Sequence, residues 1–470
     1  MKKRVLFYFV ALLFVWSCGG GDNPITPPST HDNSLHDFVI TSSLNSGSGL
    51  ATNALVSRNG RYIYVTVDEG ADVTALIPTI KSGEGTTFYM DGKPVDSGVT
   101  SVDFTNTVEL TLVAEDGGSN YFYICLKTGN KQIDGKVYAI MKQYDIPGIS
   151  VSATKDEKIV YSYGYGFANT ATMERVTPKH LFRLASITKT QTAIGIMTLI
   201  ERGQLKLNDR IFGAGGIFEK EFGTEGLVAG AENVTVKHFL EHNSGWGGEH
   251  IFTSSSGLGG KNVLERMNYV VHNIDMDYTP GAKYDYYNMG FAMLGCIIEK
   301  ISGKDYETFM REEIYPATGA KDIWVGGDIG DRRSNECVYY SQDGKDGYGN
   351  DMELIRALGG LIASSEDLMR VMSCIDYGTV VPDILKPSTL NLMYTPSDCY
   401  ARYALGWRTN HSIYTSWENY HGGTLAGTGT LMARDKDRNT ASVVLCNSRS
   451  YKDGFDDNLY VLLDLVMKNI

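Results

Sequence analysis

Three short stretches of this chain carry residue types that can break an acyl bond. The first is Ser186-Ile187-Thr188-Lys189. A serine hydroxyl is a poor nucleophile and needs a base beside it, and residues three apart on a helix share one face and can touch. A desolvated lysine has its pKa, ordinarily about 10.4, pushed down, so its amine can take the serine proton. Helix N-terminal amides add positive potential for a developing oxyanion. The second stretch is Tyr284-Asp285-Tyr286-Tyr287-Asn288-Met289-Gly290, a polar turn ahead of an apolar helix. Tyr286 and Asn288, two apart in an extended turn, can face one cleft. A phenol beside a lysine ammonium loses its proton more easily and becomes a general base, while Asn288 can donate to a substrate carbonyl. The third is His421-Gly422-Gly423-Thr424, opening a Gly/Thr-rich strand that reaches Ala433. Its glycines let a substrate approach the backbone, and a strand amide can serve as a second oxyanion donor.

Each stretch also has a plainer explanation. Ser186 can be a helix N-cap, the tyrosines can line a solvated turn, and a lone His421 can be a structural residue. Two similar spellings are set aside. Ser152-Ala153-Thr154-Lys155 falls on a strand, where residues three apart point to opposite faces. Tyr348-Gly349-Asn350 lies in an Asp/Gly-rich loop with no helix after it.

The elements that must hold these residues can be read from periodicity. Val137, Ile140, Met141 and Tyr144 make one face of a helix over about 131–144, ended by Pro147-Gly148. Residues 149–155 and 159–164 flank Asp156-Glu157-Lys158 as a strand hairpin. Helices follow at about 188–202, 235–242, 290–301 and 365–375, the first with a stripe of Ala193, Ile196, Met197 and Ile200. Strands return at 427–433 and 441–445. Strands at both ends with helices between predict an α+β unit: an antiparallel sheet closed by the two ends of the chain, with a helical subdomain inserted. Before it, from about Asp37 to Lys127, the pattern alternates with period two, as in Tyr62-Ile63-Tyr64-Val65-Thr66-Val67. That predicts a small all-β sandwich with no cluster for chemistry.

The chain has 470 residues, with 43 Lys+Arg against 55 Asp+Glu for a net charge of −12. That length predicts more than one domain, and the acidic balance argues against a nucleic-acid partner. Lys2-Lys3-Arg4 followed by an apolar run from Val5 to Trp16 is an export signal; twelve helical residues span only about 18 Å. Gly19 to Ser34, with Pro24, Pro27 and Pro28, can bury no core and reads as a tether. Cys125, Cys296 and Cys446 sit in apolar runs. Cys337 and Cys399 lie in polar stretches where an exported protein could pair them. No His/Asp/Glu cluster has metal-ligand spacing, and no cofactor is expected.

In this order and spacing, the three stretches resemble the serine β-lactamase-like family. That family takes in class C β-lactamases, D-alanyl-D-alanine carboxypeptidases, related esterases and D-aminopeptidases. The resemblance runs from about residue 133 to the C-terminus. It includes Gly164-Tyr165-Gly166, Phe182-Arg183-Leu184-Ala185, Val234 to Gly245, Gly359-Gly360-Leu361 and Leu405-Gly406-Trp407. It implies the β-lactamase/transpeptidase-like fold, with Ser186 as acylated nucleophile and Lys189 as its proton partner. Tyr286 is then the general base that activates water, Asn288 the substrate-orienting donor, and the amides of Ser186 and Thr424 the oxyanion hole. His421 and Gly423 fall where such β-lactamases carry Lys-Thr-Gly, so the lysine that would hold a substrate carboxylate is missing. That counts against an efficient β-lactamase. His242 and Ser244 match a family stretch and are taken as structural.

Val15-Trp16-Ser17-Cys18 resembles a bacterial lipobox, which implies lipidation at Cys18, and the β-rich module resembles immunoglobulin-like modules of exported lipoproteins. The expected organisation is a signal over 1–17, a lipidated tether over 18–34, an immunoglobulin-like sandwich over 35–130 and a hydrolase domain over 131–470. The expected place is the envelope of a Gram-negative bacterium, anchored in a membrane by Cys18. The expected function is serine hydrolysis of an ester, D-amino peptide or β-lactam. The alternatives are a catalytically weak lipoprotein that binds peptidoglycan stems or glycans, and a purely structural surface lipoprotein.

Overall fold

The computed structural model describes residues 32–252, 258 and 260–470. The expected signal over 1–17, the lipidation site Cys18 and the tether as far as residue 31 lie outside the described residues. The described residues separate into two compact units, one holding residues 32–56 and Gly60–Lys127, the other Ser57–Asn59 and Thr128–Ile470.

The first unit is all-β. Its strands are β1 (Asp37–Val39), β2 (Leu55–Asn59), β3 (Tyr62–Val67), β4 (Thr79–Lys81), β5 (Thr87–Met90), β6 (Lys93–Val95), β7 (Val108–Val113) and β8 (Ser119–Thr128). Six form a sheet in the order β2-β3-β8-β7-β5-β6, and β1 pairs with β4. Alternation along β7 buries Val108, Leu110 and Leu112 while Glu109 stays exposed, the period-two signature of a sheet with one face on a core. Val65, Leu76 and Ile124 complete that core.

In the second unit the helix α1 (Lys131–Tyr144) starts where the Asn130 side chain accepts from the amides of Gln132 and Ile133. It stops at Asp145 in the left-handed region. The hairpin β9 (Gly148–Lys155) and β10 (Lys158–Asn169) follows, then the short strands β11 (Glu174–Arg175) and β12 (Phe182–Arg183). The helical part comprises α2 (Thr188–Glu201), α3 (Glu219–Phe222), α4 (Val236–Leu240), α5 (Val263–Asn273), α6 (Asn288–Ser302), α7 (Tyr306–Phe309) and α8 (Tyr315–Thr318). After β13 (Ile323–Val325) and β14 (Leu361–Ala363) come α9 (Ser365–Met372) and α10 (Pro387–Tyr394). The chain ends with β15 (Trp417–Leu425), β16 (Thr428–Asp435), β17 (Thr440–Cys446) and α11 (Phe455–Asn469).

The main sheet is antiparallel in the order β11-β10-β9-β17-β16-β15, so the last strand, β17, pairs with the first, β9. This is the α+β, β-lactamase/transpeptidase-like architecture expected from the ends of the unit. One placement differs: His421 to Thr424 lie within β15, a separate edge strand, and the turn Ala426-Gly427 precedes β16. With Gly and Thr on both sides of that turn, the two strands read as one in sequence.

Two helices position the chemistry. α2 is buried from Thr188 to Leu199 and α6 from Asn288 to Ile298, so both sit in the interior, α2 with a polar first turn that holds Lys189. They pack on each other at Gly195, where an added Cβ would lie 3.1 Å from Ile298 Cδ1 and 3.0 Å from Met310 Sδ. Their N-terminal ends carry the serine–lysine and tyrosine–asparagine pairs. The cysteines that could have paired, Cys337 and Cys399, are both free, and Cys337 is buried. No helix among the described residues is long and apolar enough to cross a membrane.

Candidate active site

Ser186 sits in a 3-10 turn, Ala185–Ile187, that feeds into α2. The preceding Ala185 has φ of +48°, a strained conformation for a residue with a side chain, held by the packing around it. Leu184 donates its amide to Leu361 O, and its own carbonyl accepts from Thr430 Oγ1 at 2.9 Å. Gly423 presses on the same turn from β15: a Cβ there would fall 2.4 Å from Leu184 O and 2.9 Å from Ala185 Cβ. The glycine is therefore what allows the edge strand to lie against the serine.

Lys189 is fully buried, and its Nζ lies 3.2 Å from Ser186 Oγ and 2.7 Å from Leu358 O. Burial holds its pKa well below the usual lysine range, only partly opposed by the charge of Glu249. The same nitrogen stands 5.0 Å from the centroid of the Tyr286 ring. Tyr286 lines the same cavity as Ser186, whose hydroxyl acts to lower the phenol, yet burial outweighs it and pushes the phenol above its ordinary value. The expectation that a neighbouring ammonium would ease its deprotonation is not met, because desolvation outweighs the opposing contacts and the lysine is itself driven toward neutrality. At neutral pH the proton stays on Tyr286, while burial makes the proton of Lys189 easier to lose.

The strand residues join a hydrogen-bond chain. The Tyr287 amide donates to His242 Nδ1 at 3.0 Å, His242 Nε2 lies 3.1 Å from Tyr403 Oη, and Tyr403 Oη lies 3.1 Å from His421 Nε2. His421 Nδ1 is 2.7 Å from the Gly422 carbonyl. The backbone groups at the two ends fix every proton between them, since an amide only donates and a carbonyl only accepts. His242 therefore carries its proton on Nε2 and His421 on Nδ1. Burial lowers both imidazole pKa values well below the usual range, so both rings are neutral. His242 also lies against Tyr286, ring centroids 4.1 Å apart. Taken from the sequence as structural, it turns out to touch the site.

Ser186, Tyr286, Arg408, His421, Gly423 and Thr424 line a cavity of about 300 Å³. Asn288 borders an adjoining space of about 1320 Å³ that Thr424 also lines. The six residues singled out besides Asn288 thus converge around Ser186 and Lys189, while Asn288 and Tyr286 face neighbouring cavities rather than a single cleft. Asn350, from the stretch set aside in sequence, lines the larger one. Ser152 and Lys155 are apart as expected: Ser152 bonds Ser365 at 2.7 Å, and Lys155 reaches Ile470 O at 2.8 Å.

Arg408 was not found from sequence, although it directly follows Leu405-Gly406-Trp407. Its guanidinium is half-buried in the smaller cavity, and the titratable groups acting most on it are the phenols of Tyr284, Tyr403, Tyr286 and Tyr460. The carboxylate of Asp456 in the same cavity is held by Arg449 at 2.6 and 2.8 Å.

Comparison with known proteins agrees with this geometry. A family model described as Beta-lactamase matches residues 133–465, and one described as SGBP, N-terminal matches residues 40–124. Protein flp of Staphylococcus aureus is 25% identical over 332 residues, covering 68% of this chain and 63% of that protein. The chain thus spans less than two thirds of that relative's length. The N-acetylmuramyl-L-alanine amidase of Bacillus subtilis is 24% identical over 356 residues, 64% of this chain and 77% of that protein. Among solved structures, an octameric penicillin-binding protein homologue from Pyrococcus abyssi aligns with TM-score 0.59 at 24% identity, over 71% of this chain and 77% of that one. The D-alanine carboxypeptidase AmpC from Burkholderia cenocepacia aligns with TM-score 0.57 at 19% identity, over 71% of this chain and 97% of that one. These last two show the fold. With the family model covering the whole body that holds Ser186, Lys189 and Tyr286, the chain belongs to the β-lactamase family.

Proposed function

We propose that the protein is a serine hydrolase that works through an acyl-serine intermediate on an ester or amide. The observation that carries this reading is the fully buried Lys189 amine, 3.2 Å from Ser186 Oγ, with protonated Tyr286 lining the same cavity as that serine. Neutral Lys189 takes the Ser186 proton as Oγ bonds to the substrate carbonyl carbon. The amides of Ser186 and Thr424 receive the oxyanion. Collapse breaks the bond to the leaving group, which receives a proton from the Tyr286 hydroxyl as the Lys189 ammonium restores it. Water then attacks the acyl carbon, gives its proton to Lys189, and Ser186 leaves protonated.

With His421 neutral and buried, no cation stands where a Lys-Thr-Gly lysine would. Arg408 supplies one in the same cavity and suits a leaving group that carries a carboxylate, as in a peptide C-terminus. That suits a D-amino peptide or related ester, and it serves a β-lactam equally, since the leaving amine of a β-lactam also carries a carboxylate. It also answers the main motive for the alternative, a catalytically weak binder of peptidoglycan stems or glycans. Lipid anchoring at Cys18 in a Gram-negative envelope, with the all-β unit as spacer, completes the proposal.

The test is a rapid-mixing trace with a short-chain p-nitrophenyl ester, read beside the intact mass of the quenched protein. A nitrophenol burst with one acyl mass added, absent in Ser186→Ala, is the expected result. Turnover retained by Ser186→Ala would overturn it.

A further inference from the structure

The substrate-orienting role expected of Asn288 meets an obstacle in the structure. Its Nδ2 lies 3.0 Å from Glu249 Oε1 and 3.0 Å from Oε2. A carboxylate only accepts, so this contact also fixes which end of the Asn288 amide faces Glu249. Asn288 is 8% exposed, with little room to turn, whereas Glu249 is exposed and lines the larger cavity beside it. The donor end of the asparagine is thus occupied, and what the pair offers a substrate is the Asn288 carbonyl oxygen and the free edges of a carboxylate. All of these are acceptors, and they carry a net negative charge.

Lys261, Arg266, Lys345 and Arg356 line the same cavity, and two of them are engaged elsewhere. Arg356 on the same cavity is held by Glu299 at 2.8 Å, and Lys345 lies 3.3 Å from Asp343. Among the described residues Glu249 forms no ion pair. Acidic groups gather behind it instead: the Gly247 amide donates to Asp277 at 3.1 Å, and a Cβ on Gly247 would lie 2.9 Å from Asp285 Oδ2.

We propose that Glu249, held on Asn288, selects substrates with a positively charged hydrogen-bond donor, a free ammonium, on the part that enters this cavity. It disfavours substrates with a carboxylate there. The inference rests on the acyl-serine reading and narrows it to amino-bearing esters and amides, such as an aminoacyl group with its α-amine unblocked. Placing an anion against Glu249 and Asn288 juxtaposes like charges and leaves the Asn288 carbonyl without a donor, whereas an ammonium satisfies both partners.

The experiment compares D-alanyl p-nitrophenyl ester with its N-succinyl counterpart on the full chain and on Glu249→Gln, below the pKa of the ester amine. The expected result is a preference of kcat/KM for the free amine that falls about tenfold or more in Glu249→Gln. An unchanged ratio overturns the inference, and so does an equal gain for both esters, which would make Glu249 a simple obstruction. Titration of D-alanine p-nitroanilide and its N-succinyl form into Ser186→Ala, with and without Glu249→Gln, reads the same selectivity as binding. It stands whether or not the esters turn over. Loss of every Ser186-dependent acyl adduct with this binding preference intact would refute the hydrolase reading alone; adduct formation without the preference would refute only the role of Glu249.

Discussion

His242 and His421 share the hydroxyl of Tyr403 at 3.1 Å each, and they hold it in opposite tautomers. One ring donates to the phenol oxygen and the other accepts its proton. This couples the loop under Tyr286 to the strand that carries Gly423. Tyr403→Phe removes both bonds and leaves two buried imidazole nitrogens unpaired. The expected cost is about 1–3 kcal/mol of stability, read by denaturant unfolding, with a slower acylation burst from the displaced strand.

Two adjacent glycines should behave differently. Gly423→Ala puts a methyl 2.4 Å from the Leu184 carbonyl, two residues before the nucleophile, so the Ser186 turn or β15 must move. A fall in kcat/KM of about tenfold or more is expected, with about 1–3 kcal/mol of stability lost. At Gly422 the nearest atoms to an added methyl are 3.5 and 3.6 Å away. Gly422→Ala should fold within about 1 kcal/mol of wild type. Thermal unfolding and burst rates of the two variants, measured together, decide the point.

Lys189 sets a dependence on pH. Its folded pKa is depressed, so between that value and the unfolded value of about 10.4 the unfolded chain binds more protons and stability rises with pH. Lys189→Met removes this term. It should raise neutral-pH stability by about 1–3 kcal/mol, flatten the rise toward pH 10, and cut acylation by at least about 10³-fold. Unfolding curves at several pH values, beside intact-mass detection of the acyl adduct, check all three.

Arg408→Ala should act on one class of substrate. Esters whose leaving group carries a carboxylate should lose about 30-fold or more in kcat/KM, and uncharged leaving groups should lose less. Equal losses for both would mean that the guanidinium only supports the tyrosines around it.

Much of this site could be read in the chain because its main parts are local. Ser186 and Lys189 are one helical turn apart, and Tyr286 stands two residues from Asn288 at a helix entrance. The α+β architecture was legible from where the two periodicities fall. Contacts between distant segments were not. Tyr403, Arg408 and Glu249 acquire meaning only when β15 and the loop after α4 reach the ends of α2 and α6, and nothing in their own neighbourhoods marks them. The raised pKa of Tyr286 follows from burial, which a spacing does not report. The helix α5 did have a signal, the capping box Asn262-x-x-Glu265, in which each side chain bonds the other's amide.

The pairing of β9 with β17 has a consequence in time. A chain emerging from its N-terminus presents Ser186 and Lys189 early, but Gly423 and Thr424 arrive more than two hundred residues later. The central sheet cannot close until its final strand is present to pair with β9. A nascent or C-terminally clipped chain therefore holds a serine with no strand to complete its site. Competence arrives as a single late event, and cleavage near the C-terminus is enough to silence the nucleophile without touching it.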